Sequence, residues 1–180
     1  YHRDGDRVDA RVHPCFVSNE NLLSNVNGVI NAVYLKCDNL GETVQTGAGA
    51  GRLPTASAVV ADLVSLARSV DQGSRKALPM GWFNVDNSAT LVPISETSAR
   101  YYLRFTSRDA CGVLAKITSV LAENNISIET IIQKNVKDPG KVSIVVITEK
   151  TQDCKASKAV DAIDALPEIV EKSQVIRFLA

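Results

Sequence analysis

Apolar and polar positions alternate cleanly in the second half of the chain, and the period switches four times between two and three-to-four. Residues 101–106 read as a strand, and Ser107-Arg108-Asp109-Ala110-Cys111-Gly112 as a turn. A helix follows over about 113–124, with Val113, Leu114, Ile117, Val120 and Leu121 at helical spacing. Residues 125–133 alternate as a strand, Asp138-Pro139-Gly140 turns the chain, and 142–148 form a buried strand. A helix over about 155–166 and a strand over 174–178 complete the order β-α-β-β-α-β. That order predicts a ferredoxin-like sandwich, with two helices on one face of an antiparallel sheet.

The first half is less regular. Residues 8–17 alternate as a half-buried strand, with Pro14 marking an edge or a break. His13 in it has two readings, a ligand-contacting or acid–base group and a solvated or capped side chain. Residues 18–26 carry capping residues and predict a short helix or turn. Residues 28–37 and 42–46 are strands joined through Asp38-Asn39-Leu40-Gly41, which is hairpin chemistry. From Pro54 to about Val70 a helix is expected, with one broad face buried through Val59, Val60, Leu63, Val64, Leu66, Ala67 and Val70. Asp62 and Arg68 mark its other side as solvated charges. Residues 71–99 break every period at Gly73, Pro79, Gly81, Asn84, Asn87 and Pro93, and read as an irregular connector with one short strand. Trp82 in it is expected to pack on a neighbouring domain.

Between hairpin and helix lies Gly47-Ala48-Gly49-Ala50-Gly51-Arg52-Leu53-Pro54-Thr55. A strand, a glycine loop and a helix N-terminus let backbone N–H groups approach an anion. The alternative is a close backbone crossing with no ligand. A Walker loop is excluded, since Arg52-Leu53-Pro54 follows the last glycine. The dinucleotide fingerprint fails by one place, at Arg52. The stretch fits a second loop that closes on a ligand held elsewhere.

Composition narrows the class. The 180 residues allow one or two small domains, and 45% of them are hydrophobic. The 20 basic and 20 acidic residues cancel, which gives no support for nucleic acid or an anionic membrane as partner. No apolar run approaches the roughly 18 residues of a membrane span. Cys15, Cys37, Cys111 and Cys154 are scattered, and only His2 and His13 accompany them, so no metal site is expected. Scattered thiols point to a reducing cytoplasm. Tyr1 is neither an initiator nor the start of a signal peptide, and the chain reads as a piece of something longer.

Asp109-Ala110-Cys111-Gly112-Val113-Leu114-Ala115-Lys116-Ile117, followed by Asn124-Asn125-Ile126-Ser127-Ile128, resembles an ACT domain, the amino-acid-sensing module of metabolic enzymes. The family usually has proline before the glycine, where this chain has Cys111. Arg11-Val12-His13-Pro14, Val26-Asn27-Gly28-Val29-Ile30-Asn31-Ala32-Val33, and the run from Gly49-Ala50-Gly51 through Pro54-Thr55-Ala56-Ser57-Ala58 to Asp62 resemble the end of the catalytic region of homoserine dehydrogenase. The expected fold class is α+β: a mixed sheet/helix segment of the substrate domain over 1–70, a connector over 71–99, and an ACT domain over 100–180.

The resemblance implies an NAD(P)-dependent oxidoreductase that interconverts aspartate semialdehyde and homoserine, on the route to threonine, methionine and isoleucine. It implies no catalytic residue here, because the family's catalytic lysine, acidic residues and nucleotide-binding domain lie upstream. This stretch alone is expected to be inactive and to bind no cofactor tightly. Gly49, Ala50, Gly51, Pro54 and Thr55 correspond to the loop that returns to the cofactor; Arg52 faces a phosphate or solvent. In the ACT half Asp109, Gly112, Val113, Leu114, Asn124 and Asn125 are the candidates for an amino-acid effector, threonine by family analogy. Val113 and Leu114 are more surely core than contact. A homodimer or higher oligomer is implied, in the cytoplasm. The rival reading is a non-catalytic amino-acid-binding or dimerisation module.

Overall fold

The computed structural model describes residues 2–71, 88–135, 138 and 140–179. Trp82, with Gly73, Pro79, Gly81, Asn84 and Asn87, lies outside them, as does Pro139 of the expected turn. The chain forms two compact units, one of residues 1–16 with 88–180, the other of 17–87.

In chain order, the first unit begins with β1 (His2–Asp4), β2 (Arg7–Asp9) and β3 (Cys15–Phe16). The second holds a 3₁₀ turn at Leu22–Asn25, β4 (Ile30–Cys37), β5 (Gly41–Ala48) and α1 (Arg52–Asp71). The first resumes with β6 (Thr90–Leu91), a 3₁₀ turn at Ile94–Glu96, β7 (Ser98–Ala99), β8 (Tyr101–Arg108) and α2 (Val113–Glu123). It ends with β9 (Ile128–Asn135), β10 (Lys141–Thr148), β11 (Thr151–Gln152), α3 (Asp153–Asp164) and β12 (Gln174–Phe178).

The expected β-α-β-β-α-β order stands as β8-α2-β9-β10-α3-β12. Sheet order is β3-β12-β8-β10-β9, antiparallel except for β3 beside β12. Period-two alternation in β8 sends Tyr101, Leu103, Phe105 and Ser107 into the core and leaves Arg104 and Arg108 exposed. Val142, Ile144 and Val146 of β10 lie beside them, and Ile117, Leu121, Ala159 and Ile163 close the layer from α2 and α3. Each fully buried Leu, Ile or Phe contributes about 1.5–3 kcal/mol.

Three polar groups, mostly shielded from water, tie sheet to helix. Asp153, at the start of α3, accepts from Arg177 of β12 and from the Tyr101 hydroxyl at 3.1 Å. Arg177 Nε donates to the same hydroxyl at 3.3 Å, and its guanidinium lies over the Tyr101 ring. Burial is the main cause that raises the Tyr101 pKa.

The single strand expected over 8–17 is two short ones. β2 pairs with β1 and β6, while β3 runs parallel to β12 with Cys15 opposite Arg177 and Phe16 opposite Phe178. Pro14 sits in the break between them. Phe16 packs edge-on against Tyr102, 5.2 Å between centroids, and beside Phe178 at 5.7 Å. The described part of the expected connector carries two two-residue strands, β6 and β7, rather than one.

In the second unit the hairpin is regular, from Ile30 opposite Ala48 to Cys37 opposite Gly41. Asn21 caps the 3₁₀ turn by accepting from Leu23 N–H at 2.9 Å. α1 differs from expectation in one respect: it has no buried residue. Leu53, Val59, Leu63 and Val70 are all more than half exposed. The apolar face is present, and nothing in the described residues covers it. By length and composition α1 is also the one described helix long and apolar enough to cross a membrane, with a mean hydropathy of 1.3. Averaging along the helix passes over Asp62 and Arg68, which interrupt the apolar run read from the sequence.

Candidate functional site

The glycine loop is shorter than its sequence suggests. Gly47 and Ala48 belong to β5, opposite Asn31 and Ile30, so the loop proper is Gly49-Ala50-Gly51. α1 then starts at Arg52, two residues before Pro54. Pro54 is therefore still in the first turn, where its missing N–H leaves no ladder bond unmade. Thr55 N–H closes that turn on the Gly51 carbonyl at 3.0 Å.

The glycines do different work. Gly51 has φ +128°, which side-chain-bearing residues rarely adopt, and a Cβ there would sit 3.3 Å from Pro54 Cδ. Gly49 N–H is committed to the Val29 carbonyl at 2.7 Å, so it is not available to an anion. A Cβ on Gly49 would fall inside the Asn31 side-chain amide. Asn31 belongs to a stretch quoted above for its family likeness and was not singled out as a site residue; the contact depends on hairpin register, which the sequence leaves open. Arg52 and Asp62 are exposed. His13 is exposed and its Nδ1 is 2.9 Å from the Pro14 carbonyl oxygen.

The second candidate lies where β8 meets α2. Gly112 is the N-cap, with φ +86°, and no side chain caps the helix. Asp109 therefore does not cap α2; its N–H donates to the Gly140 carbonyl at 2.9 Å, and its carboxylate has no partner among the described residues. Val113 is buried, 4% exposed, whereas Leu114 reaches the surface. Asn124 and Asn125 stand at the other end of α2. Asn124 Nδ2 donates to the Val120 carbonyl at 2.8 Å, and Asn125 is left-handed at φ +55°. An 11-residue helix puts them about 16 Å from Gly112, so one chain does not bring the two sets together.

Residues missed by sequence reasoning adjoin the same turn. Glu168 accepts from Lys116 Nζ at 2.5 Å, and its carbonyl accepts from Arg108 N–H at 2.9 Å. The Lys116 hydrogen bond is the main cause that holds the Glu168 carboxyl below its ordinary pKa. Its second oxygen, Oε2, and the Ser107 hydroxyl are buried without a hydrogen-bond partner among the described residues. No spacing in the sequence marks residue 168, which reaches the turn only through sheet register.

Among the described residues no three of His, Cys, Asp and Glu gather to hold a metal ion.

The fold joins a βαββαβ sandwich to a unit of hairpin, glycine loop and helix. Residues 3–64 match the family model for homoserine dehydrogenase, and residues 101–168 match the ACT domain. The homoserine dehydrogenase of Neisseria gonorrhoeae is 42% identical over 172 residues, covering 94% of this chain and 39% of the relative. That of Pseudomonas aeruginosa is 38% identical, covering 88% and 37%. A crystal structure of a homoserine dehydrogenase from Thiobacillus denitrificans superposes with a TM-score of 0.79 at 36% identity, over 98% of this chain and 40% of that one. The chain is a homoserine dehydrogenase C-terminal region with its ACT domain, and it spans about two fifths of the length of the curated relatives it matches.

Proposed function

We propose that this chain serves an NAD(P)-dependent homoserine dehydrogenase that interconverts aspartate semialdehyde and homoserine, for threonine, methionine and isoleucine synthesis in the cytoplasm. Residues 1–70 supply the end of the catalytic and dimerisation region, 71–99 link, and 100–180 sense an amino acid. The observation that carries this reading is the glycine loop seated on a hairpin, in one chain with an ACT domain and along one homoserine dehydrogenase structure.

The bound nicotinamide supplies or accepts the hydride. The chain's own part is to shape the wall beside it. The fit rests on Gly51, whose backbone at φ +128° leaves that corner free of a side chain. Ala50, Pro54 and Thr55 border the same turn, and Thr55 adds a hydroxyl. The uncovered apolar faces of α1 and the hairpin are what a segment of a larger catalytic domain presents. The 180-residue chain alone is expected to oxidise no NADPH in the presence of aspartate semialdehyde. Turnover above background would sink the division of labour proposed here.

An ACT domain points to an amino-acid effector, and threonine is our choice. A carboxylate is favoured at the uncapped N-terminus of α2. The free carboxylate of Asp109, with Glu168 Oε2 and the Ser107 hydroxyl, offers acceptors for an ammonium beside it. β3 covers one edge of the sheet and β9 is the other, which favours pairing of two copies through β9. Asn124 and Asn125 enter the site only from the partner copy in this reading. Calorimetric titration of the chain is expected to show threonine binding, weakened about tenfold by Asp109→Ala, the worth of one charge-assisted hydrogen bond. Absence of binding by threonine, isoleucine, methionine and lysine at millimolar concentration, with the dimer intact, would leave dimerisation as the module's role. Equal binding by Asp109→Ala would remove Asp109 from the site.

A further inference from the structure

Asn31 lies on β4 opposite Gly47, and Gly49, two residues on and just past the end of β5, follows on the same side. Side chains at such diagonal positions reach one another across an antiparallel pair. Here the diagonal partner has no side chain, and the Asn31 amide occupies the space that a Gly49 Cβ would take. The Gly49 N–H bond to Val29 fixes the end of the hairpin, so the amide is held against the start of the loop.

The amide is otherwise unused. Asn31 is exposed, and its side chain makes no hydrogen bond to any described residue. A primary amide offers two donors and an acceptor in one plane. A phosphate would use only the donor half of it, and a hydroxyl would use one atom at a time. The groups that use both halves together carry a donor and an acceptor side by side, as an adenine edge or another primary amide does; on the ring side of a nicotinamide cofactor that group is the carboxamide, through two antiparallel N–H···O=C bonds.

We propose that Asn31 is a cofactor-contacting residue whose side-chain amide pairs with the carboxamide of the nicotinamide ring. This rests on the reading above, in which the glycine loop faces the ring side of the cofactor. Gly49 is then glycine so that the amide can lie flat at the mouth of the loop. Pairing at the carboxamide fixes the rotation of the ring, and with it the face turned toward the substrate.

The test is equilibrium binding to a full-length homoserine dehydrogenase that carries this chain, with NADP and its 3-acetylpyridine analogue as probes. The analogue keeps the carbonyl acceptor and replaces the NH₂ donor by a methyl group. The unmodified enzyme is expected to prefer NADP by about tenfold, the worth of one buried hydrogen bond. Asn31→Ala is expected to bring that ratio close to one while circular dichroism stays unchanged. Gly51→Val, tested beside it, separates the two levels of the reading. If Gly51→Val weakens both probes and Asn31→Ala leaves the ratio at its original value, the Asn31 assignment is overturned and the loop reading stands. If folded Gly51→Val and Asn31→Ala bind both probes normally, the loop does not face the cofactor and both readings fall.

Discussion

Replacing Asp153 by alanine is expected to destabilise the first unit by about 3 kcal/mol, the low end of the range for removing one partner of a buried pair. Asp153 and Arg177 are only 13% and 11% exposed at their side chains, so water does not screen them well. The alanine leaves the Arg177 guanidinium and the Tyr101 hydroxyl without their shared acceptor. It also removes the acidic group from the first turn of α3, where the helix dipole favours it. Calorimetry on the 180-residue chain would register this as a fall of roughly 10 °C in the midpoint of that unit. Asp153→Asn keeps an acceptor for Tyr101 and loses the charge, so its midpoint should fall between the two. A loss below about 1 kcal/mol for the alanine variant would mean that the cluster behaves as a surface pair.

Gly51→Val is expected to weaken cofactor binding to the full-length enzyme by at least about tenfold, or 1.4 kcal/mol. Two effects combine. Valine at φ +128° is strained by about 1–3 kcal/mol, because β-branched side chains do not tolerate that region. Its Cβ would also press on Pro54, which sets the first turn of α1. The chain relieves both by moving the loop, and the wall beside the cofactor moves with it. Gly47→Ala is the control, since its Cβ meets open space and its backbone is ordinary strand. Both variants are compared by cofactor titration and circular dichroism. Normal affinity in folded Gly51→Val would make the loop a close backbone crossing and nothing more.

The regular half of the fold was legible because its signal is local. Alternation in residues 101–106 and 142–148, and helical spacing from Val113 to Leu121, arise from one buried face per element; β8 runs on through Ser107 and Arg108, which read as turn residues. The hairpin was legible from its turn residues. β3 was not, because two residues carry no period, and the attraction that holds them comes from Tyr102 in mid-chain and from β12 more than 150 residues away. For α1 the sequence gives the apolar face correctly and says nothing of what covers it. At the candidate sites, residue types were readable and their company was not. Gly49 reads as part of a flexible loop, yet its N–H is bonded and its Cα is covered by Asn31. Asp109 and Asn124 look like neighbours in a motif and stand at opposite ends of a helix. Glu168 reaches the same turn only through register.

The parallel pairing of Cys15 and Phe16 with Arg177 and Phe178 also sets an order of events during synthesis. A strand made early in this chain must wait for one made near its end, while the whole of the 17–87 unit is translated between them. Until β12 appears, Phe16 has no Phe178 to pack on and no strand to pair with. Contacts this distant in sequence form late and slowly. The hairpin and α1 can take shape first, on local contacts, and the regulatory unit closes last. A ribosome stalled before residue 174 would therefore carry a nascent chain with Cys15 and Phe16 still unpaired and open to proteases.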